Sequence, residues 1–363
     1  MGLAAGLAAV LLSGCGADDD RLTRRGGGGP VGTQVDCGGK TRLTAEGSSA
    51  QKGAVDAFIA AYQAQCRGKD VAYAQTGSGA GIRAFTAGQV DFAGTDTPLS
   101  HERGEVDAAA HRCQGNPAWN LPLVFGPIAV AYRLDGVPDL VLDAAAVAGI
   151  FTGRITRWDH PVLAALNPGA RLPGRAIAPV VRSEESGTSE NFQRYLAAAA
   201  PSAWNRGTGK AFDGGVGLGR ETSAGVAEAT ASTNGGITYV ELSFARAAGL
   251  DLARIDTGAG PVTLTAGSVG RAVDQARIIG PGNDMVLDLE SIFTTTAADA
   301  YPILLTTYEV VCSRGYDAAT ALAVRAFLTL AATDGQRGLA DAGYAPLPSR
   351  FQQRLLTAIK AIH

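Results

Sequence analysis

The chain has 363 residues, of which 46% are hydrophobic and 18% charged, with a net charge of −3. That length exceeds one ordinary core and fits two domains of roughly 100–200 residues each, and the composition is globular rather than disordered. The charge provides no bulk positive field for nucleic acid or anionic lipid, so any anion must be held by local geometry.

In chain order, Gly2 to Leu12 is an apolar run of small residues and Leu, too short to span a bilayer as a helix. It ends in Leu12-Ser13-Gly14-Cys15, which resembles a bacterial lipobox with Cys15 as the acylated first residue of the mature chain, although no Lys or Arg precedes the run. Residues 1–15 are thus expected to be a lipoprotein signal peptide. Residues 16–36, with Asp18 to Asp20 and four consecutive glycines from Gly26, read as a flexible tether.

Four cysteines remain in the exported chain: Cys37, Cys66, Cys113 and Cys312. An even number in that setting points to two disulfides, and number alone allows three pairings. Cys37 precedes the first strand and Cys66 ends the first helix, which favours Cys37–Cys66 and leaves Cys113–Cys312. No C-x-x-C spacing occurs and the histidines are scattered, so no metal is expected.

Strand and helix patterns then alternate. Thr41 to Ala45 reads as a strand. Gln51 to Gln65 reads as an amphipathic helix, with Val55, Phe58, Ile59 and Tyr62 on one face. Val71 to Ala74, Val90 to Ala93, Ile177 to Arg182, Ile237 to Val240 and Ile303 to Val311 read as further strands. Ile82 to Ala87, Leu140 to Phe151, Glu190 to Ala199, Ala318 to Ala332 and Phe351 to Ile362 read as helices. Alternation of this kind predicts α/β domains with mostly parallel sheets. The Gly-rich stretch Asn205 to Gly225 has no periodicity and reads as a surface excursion.

Three strands end in small, hydroxyl-rich turns that open helices: Glu46-Gly47-Ser48-Ser49-Ala50, Thr76-Gly77-Ser78-Gly79-Ala80-Gly81 and Arg182-Ser183-Glu184-Glu185-Ser186-Gly187-Thr188-Ser189. Ordinary N-capping accounts for any one of them. Three at the carboxyl ends of strands, where open α/β sheets bind ligands, predict an anion site built from helix N-termini. Arg182 adds a bidentate fork for a tetrahedral oxyanion. Asp96, after the third strand, would repel a bare anion but accept a hydrogen bond from one that still carries a proton.

Taken in order and spacing, several segments resemble the phosphate-binding proteins of Pst-type ABC importers. They are Leu43 to Ser49, Thr76 to Gly79, Val90 to Asp96, Phe151 to Trp158, Leu166 to Gly169 and Arg182 to Phe192. The resemblance covers nearly all of the chain after Cys37. It implies a two-lobed periplasmic-binding-protein fold of type II, each lobe a mostly parallel sheet flanked by helices. Residues 38–127 and 306–363 would form lobe 1, and residues 128–305 lobe 2, joined by hinge strands. It implies capture of inorganic phosphate for an ABC permease and its ATPase, by a monomer without cofactor, tethered through Cys15 to the outer face of the cell membrane. The family's ligand contacts fall on Ser49, Ala50, Ser78, Asp96, Arg182, Ser186, Gly187 and Thr188. Glu184 stands where the family usually has Asp and would buttress Arg182. A Gly-Asn-Asp-Gly-like segment, expected near Gly219 to Val226, is not recognisable.

The competing readings are another tetrahedral oxyanion, such as sulfate or molybdate, and a phosphate sensor on the same fold. An enzyme is disfavoured. The chain has no G-x-S-x-G, and His101, His111, His160 and His363 lie far in sequence from the serine turns. Gly77 to Gly81 is a poor dinucleotide fingerprint.

Overall fold

The computed structural model describes residues 34–363; the signal segment, Cys15 and most of the tether lie outside the described residues. The elements follow the alternating pattern. The first wing contains β1 (Arg42–Gly47), α1 (Lys52–Gln65), β2 (Asp70–Ala74), α2 (Ser78–Thr86), β3 (Phe92–Thr95) and α3 (Glu105–Arg112). A 16-residue strand, β4 (Ala118–Arg133), leads to β5 (Val141–Asp143), α4 (Ala144–Phe151) and α5 (Pro161–Leu166). The second wing continues with β6 (Ala178–Arg182), α6 (Gly187–Ala199), β7 (Leu218–Arg220), α7 (Thr222–Ala231), β8 (Gly236–Glu241) and α8 (Leu242–Ala247). A late strand, Leu304–Cys312, and the helices Ala318–Ala332 and Ser349–Lys360 close the chain.

Eight of the strands run through the main sheet in the order β2, β1, β3, Leu304–Cys312, β4, β8, β6, β7, while β5 belongs to a separate three-stranded sheet. Its wings are parallel: β1 pairs with β2 and β3 on one side, and β6 pairs with β7 and β8 on the other. Its centre is antiparallel, which the expected mostly parallel sheets do not include. β4 pairs with the late strand from Ala118 to Pro127, then changes partner and pairs with β8 from Ile128 to Arg133. Pro127, which has no N–H to donate, stands at that changeover. Pro122 sits beside a register shift opposite Thr307/Tyr308, the kind of position where a sheet tolerates proline.

β4 is buried without interruption from Asn120 to Tyr132. Covered on both faces, it lacks the polar alternation that marks a half-exposed strand, so the sequence pattern does not reveal it. The helix expected over Leu140 to Phe151 is instead a short strand followed by a helix. Asp143 ends the strand and caps α4, accepting a hydrogen bond from the Ala146 N–H at 2.6 Å. The Gly-rich excursion also carries structure, since β7 and the start of α7 lie within it.

Phe58, Tyr62, Phe92 and Phe327 pack where α1 and Ala318–Ala332 cover the first wing. Phe151, Phe192, Phe212 and Tyr239 form the aromatic centre of the second. Disulfides join Cys37 to Cys66 and Cys113 to Cys312, the favoured pairing. The second ties the end of the late strand to the end of α3, 199 residues earlier.

Candidate ligand-binding site

The three serine turns converge where the wings meet. Gly47 ends β1 with φ +143°, and a Cβ there would stand 1.9 Å from the Gly94 carbonyl oxygen, so this approach requires glycine. Ser48 and Ser49 follow, both buried. The second turn places Ser78, also buried, at the first position of α2. The third follows Arg182 at the end of β6 and opens α6, with the Ser186 hydroxyl accepting from the Ser189 N–H.

Two clusters of contacts fill the meeting point. In one, the buried Asp96 carboxylate accepts from three hydroxyls: Ser48 at 2.6 Å, Thr307 at 2.8 Å and Ser78 at 3.3 Å. The Gly187 N–H of the third turn donates to Ser78 Oγ at 3.2 Å, so this cluster spans both wings. A Cβ on Gly187 would stand 2.6 Å from both Asp96 Cβ and Ser78 Oγ, which leaves room only for glycine.

In the other cluster, the Arg182 guanidinium is 2% exposed and points across to the first turn. Its Nη2 donates to Ser49 Oγ at 3.0 Å and its Nη1 to Ser223 Oγ at 3.3 Å. Glu184 Oε1 accepts from Nε at 2.8 Å and also from Nη2, and it accepts from the Thr222 N–H as well. Glu184 therefore neutralises and orients the arginine while leaving two of its nitrogens directed at hydroxyls.

Electrostatics set the two clusters apart. Burial pushes the Asp96 carboxyl up to about 6, the nearby Glu241 charge adds to this, and the Ser48 and Thr307 hydroxyls and Arg182 pull it down. At neutral pH Asp96 is thus a carboxylate surrounded by donors, with a marked tendency to accept another proton or a hydrogen bond.

Of the residues expected from sequence, Ser49, Ser78, Asp96, Arg182, Glu184 and Gly187 are brought into direct contact. Ala50, Ser186 and Thr188 lie in the same turns but their polar groups are turned to other partners. The Ala50 N–H bonds Ser48 Oγ, the Ser186 hydroxyl caps its own helix, and Thr188 Oγ1 donates to Glu241 at 2.6 Å. The structure also adds residues. Ser48 is one of them, and Thr307 reaches Asp96 from the late strand. Ser223 belongs to a fourth turn, where β7 opens α7, and its N–H bonds Ser49 Oγ at 3.0 Å. The turn is held open by Thr222 at φ +64°, rare for a β-branched residue and a form of strain that clusters at functional sites. The signal for this turn was the Thr222-Ser223 pair after a short strand, obscured by the surrounding glycines.

Known proteins match this chain over most of its length. A sequence profile described as the PBP superfamily domain matches residues 32–334. A protein named phosphate-binding protein PstS3 from Mycobacterium bovis is 49% identical over 365 aligned residues, covering 99% of this chain and 96% of that protein. Its counterpart from Mycobacterium leprae is 47% identical, covering 99% of this chain and 98% of that one. Among solved structures, a phosphate-binding protein from Stenotrophomonas maltophilia superposes with a TM-score of 0.66 at 20% identity, covering 88% of this chain and 94% of that chain. A substrate-binding protein with bound phosphate from Clostridium perfringens does so with a TM-score of 0.61 at 16% identity, covering 85% of this chain and all of the other. At those identities the structural likeness shows the fold, the two-lobed one.

Proposed function

The chain belongs to the PBP superfamily and, within it, to the Pst-type phosphate-binding proteins, and we propose that it captures inorganic phosphate between its lobes and hands it to an ABC importer. It is a binding protein, not an enzyme. One observation carries the choice of ligand: a buried carboxylate, Asp96, lies within a site otherwise made of helix N-termini, hydroxyls and one arginine. Such a site attracts a tetrahedral anion and, through Asp96, prefers one with a P–OH to donate. Phosphate near neutral pH has that proton and sulfate does not.

In this reading Arg182 and the turn from Ser186 to Thr188 grip the anion from one lobe, while Ser49, the Ala50 N–H and Ser78 grip it from the other, the Ala50 N–H leaving Ser48 Oγ and Thr188 Oγ1 leaving Glu241 as the anion enters. Ser223 completes the arginine's side. Lobe 1 comprises residues 38–127 and 306–363, and lobe 2 residues 128–305. Phosphate makes contacts in the closed state that it cannot make in the open one, so it favours closure. The partners are the permease subunits and, through them, the ATPase. The protein works as a monomer outside the cytoplasm, held to the membrane by a lipid on Cys15. Among the described residues no helix is long and apolar enough to cross a membrane.

The test is equilibrium binding of radiolabelled phosphate, competed with sulfate and with arsenate. Arsenate, protonated like phosphate, should compete; sulfate should not. Effective competition by sulfate would remove the assignment.

A further inference from the structure

Beneath the site lies a second acid that the reading above does not use. Glu309, on the late strand two residues after Thr307, is completely buried, and neither of its carboxyl oxygens has a hydrogen-bond partner. Leaving an ionised carboxylate so placed costs far more than leaving a neutral one. Thr307 and Glu309 lie on the same face of the strand, because side chains alternate. Glu309 pairs in register with Gly94 of β3, and the space that a Gly94 side chain would fill is occupied by the Gln51 amide and the Tyr73 hydroxyl.

Those neighbours form a directional chain. Gln51 Nε2 donates to Tyr73 Oη at 3.1 Å, and Tyr73 Oη donates to the Ser48 carbonyl at 2.7 Å. The tyrosine hydrogen and one amide hydrogen are thereby committed. Gln51 Oε1, an acceptor, is buried and has no donor. A proton on Glu309 would supply one, and the Gln51 amide lies close enough to that carboxyl to bear on it. The chain ends on the first turn, which carries Ser48 and Ser49.

We propose that Glu309 is a positioning residue for phosphate capture: as a neutral carboxyl it donates to Gln51 and, through Tyr73, fixes the first turn, and capture weakens when it ionises. The inference rests on the phosphate reading above. Burial pushes the Glu309 carboxyl up to about 8; contact with Gln51 lowers it and the Asp96 charge raises it. The titratable groups facing it are Asp96 from the end of β3 and Tyr73 from β2, with Glu46 of β1 acting on Tyr73. β4, on its other side, presents Leu121 in register. Ionised, Glu309 would add an uncompensated negative charge behind Asp96, on the side from which the anion is held. A bound anion therefore favours the protonated form, and binding above pH ~8 takes up a proton.

The decisive comparison is phosphate affinity by calorimetry from pH 6.5 to 9.5 in wild type and Glu309→Gln. Gln at this position offers an N–H donor at every pH and never ionises. Comparing the two proteins removes the ligand's own protonation from the result. The wild-type dissociation constant should rise relative to the variant's above pH ~8, approaching about tenfold per pH unit, the limit for one proton. Parallel curves would overturn the proposal while leaving phosphate binding established. Absence of phosphate binding by wild type would instead overturn the functional reading. If Glu309→Gln does not fold, infrared spectroscopy of the unsubstituted protein decides. A carboxylic C=O stretch should persist at pH 7, disappear with a midpoint near 8, and persist to higher pH when phosphate is added. A spectrum lacking that band at pH 7 would overturn the proposal.

Discussion

Asp96→Asn tests the basis of selectivity. Asp96 accepts from three hydroxyls, two on Oδ1 and one on Oδ2. Asparagine keeps the shape but replaces one acceptor oxygen with an NH₂ group. Turned with its oxygen toward Ser48 and Thr307, it points the NH₂ at Ser78 and the ligand. The bond from a P–OH to a carboxylate is then lost, at about 1.5–3 kcal/mol for a hydrogen bond to a charged group, or roughly 10–150-fold in phosphate affinity. A bare sulfate oxygen, which in wild type would face the carboxylate with like charges opposed, now meets a donor. A site whose buried polar group is left unpaired rejects the wrong ligand by about 10⁴–10⁵-fold, so the wild-type gap should be of that order and the Asn gap smaller by at least about tenfold. Competition of sulfate against labelled phosphate, in both proteins at fixed pH and ionic strength, measures the two gaps. An unchanged phosphate-to-sulfate ratio in the variant would refute Asp96 as the selector, even with phosphate binding intact.

Arg182→Lys keeps the charge but cannot reach Ser49, Ser223 and Glu184 together; calorimetry should show a loss of about tenfold or more, and wild-type affinity would remove Arg182 from the site. Ser223→Ala leaves Arg182 Nη1 without its hydroxyl partner and should weaken phosphate about tenfold, while an unaltered dissociation constant would place the fourth turn outside the site. Glu309 and Asp96 also make folding pH-dependent. Both are raised in the folded state, so their unfolded-state carboxyls ionise first and stability falls as pH rises, between about 4 and 6 for Asp96 and between about 4.5 and 8 for Glu309. The Glu309 part has a ceiling of roughly 4–5 kcal/mol, and urea unfolding of Glu309→Gln should show a flatter profile across that range; identical slopes would contradict it.

The parts of the site legible in the sequence are those made by local chemistry. A serine-glycine turn between a strand and a helix announces its own geometry, because N-capping and positive-φ glycine act within four or five residues. Ser49, Ser78, Arg182 and Gly187 were visible for that reason, and Asp96 because it follows a strand of the same kind. Thr307 and Glu309 were not, since each lies in a strand buried along its whole length and matters only through what the sheet brings opposite it. β4 was hidden in the same way, its two covered faces erasing the alternation that identifies strands. Cys113 and Cys312 could be paired only by elimination, because the contact between α3 and the late strand is tertiary.

The arrangement divides labour between the two kinds of strand pairing in the sheet. Parallel strands must be joined by crossovers, and here each crossover helix begins at the carboxyl edge with N–H groups that have no partner within the helix, several of them bonded instead to hydroxyls at the same meeting point. The wings therefore supply donors: β1, β2, β6 and β7 each lead into a helix at the site. The antiparallel centre has no helix N-terminus to offer and instead presents side chains from the middle of a strand, Thr307 and Glu309. Donors on their own would hold any small anion, and the chain's net charge of −3 opposes all of them alike. Discrimination must come from acceptors, and an acceptor beside an anion is tolerable only where its own proton occupancy is controlled. Asp96 at the end of β3 pairs with Thr307, and Glu309 lies two residues further along the same buried strand. In the proposed reading the donor turns supply attraction, Asp96 supplies choice, and Glu309 behind it holds the first turn in place.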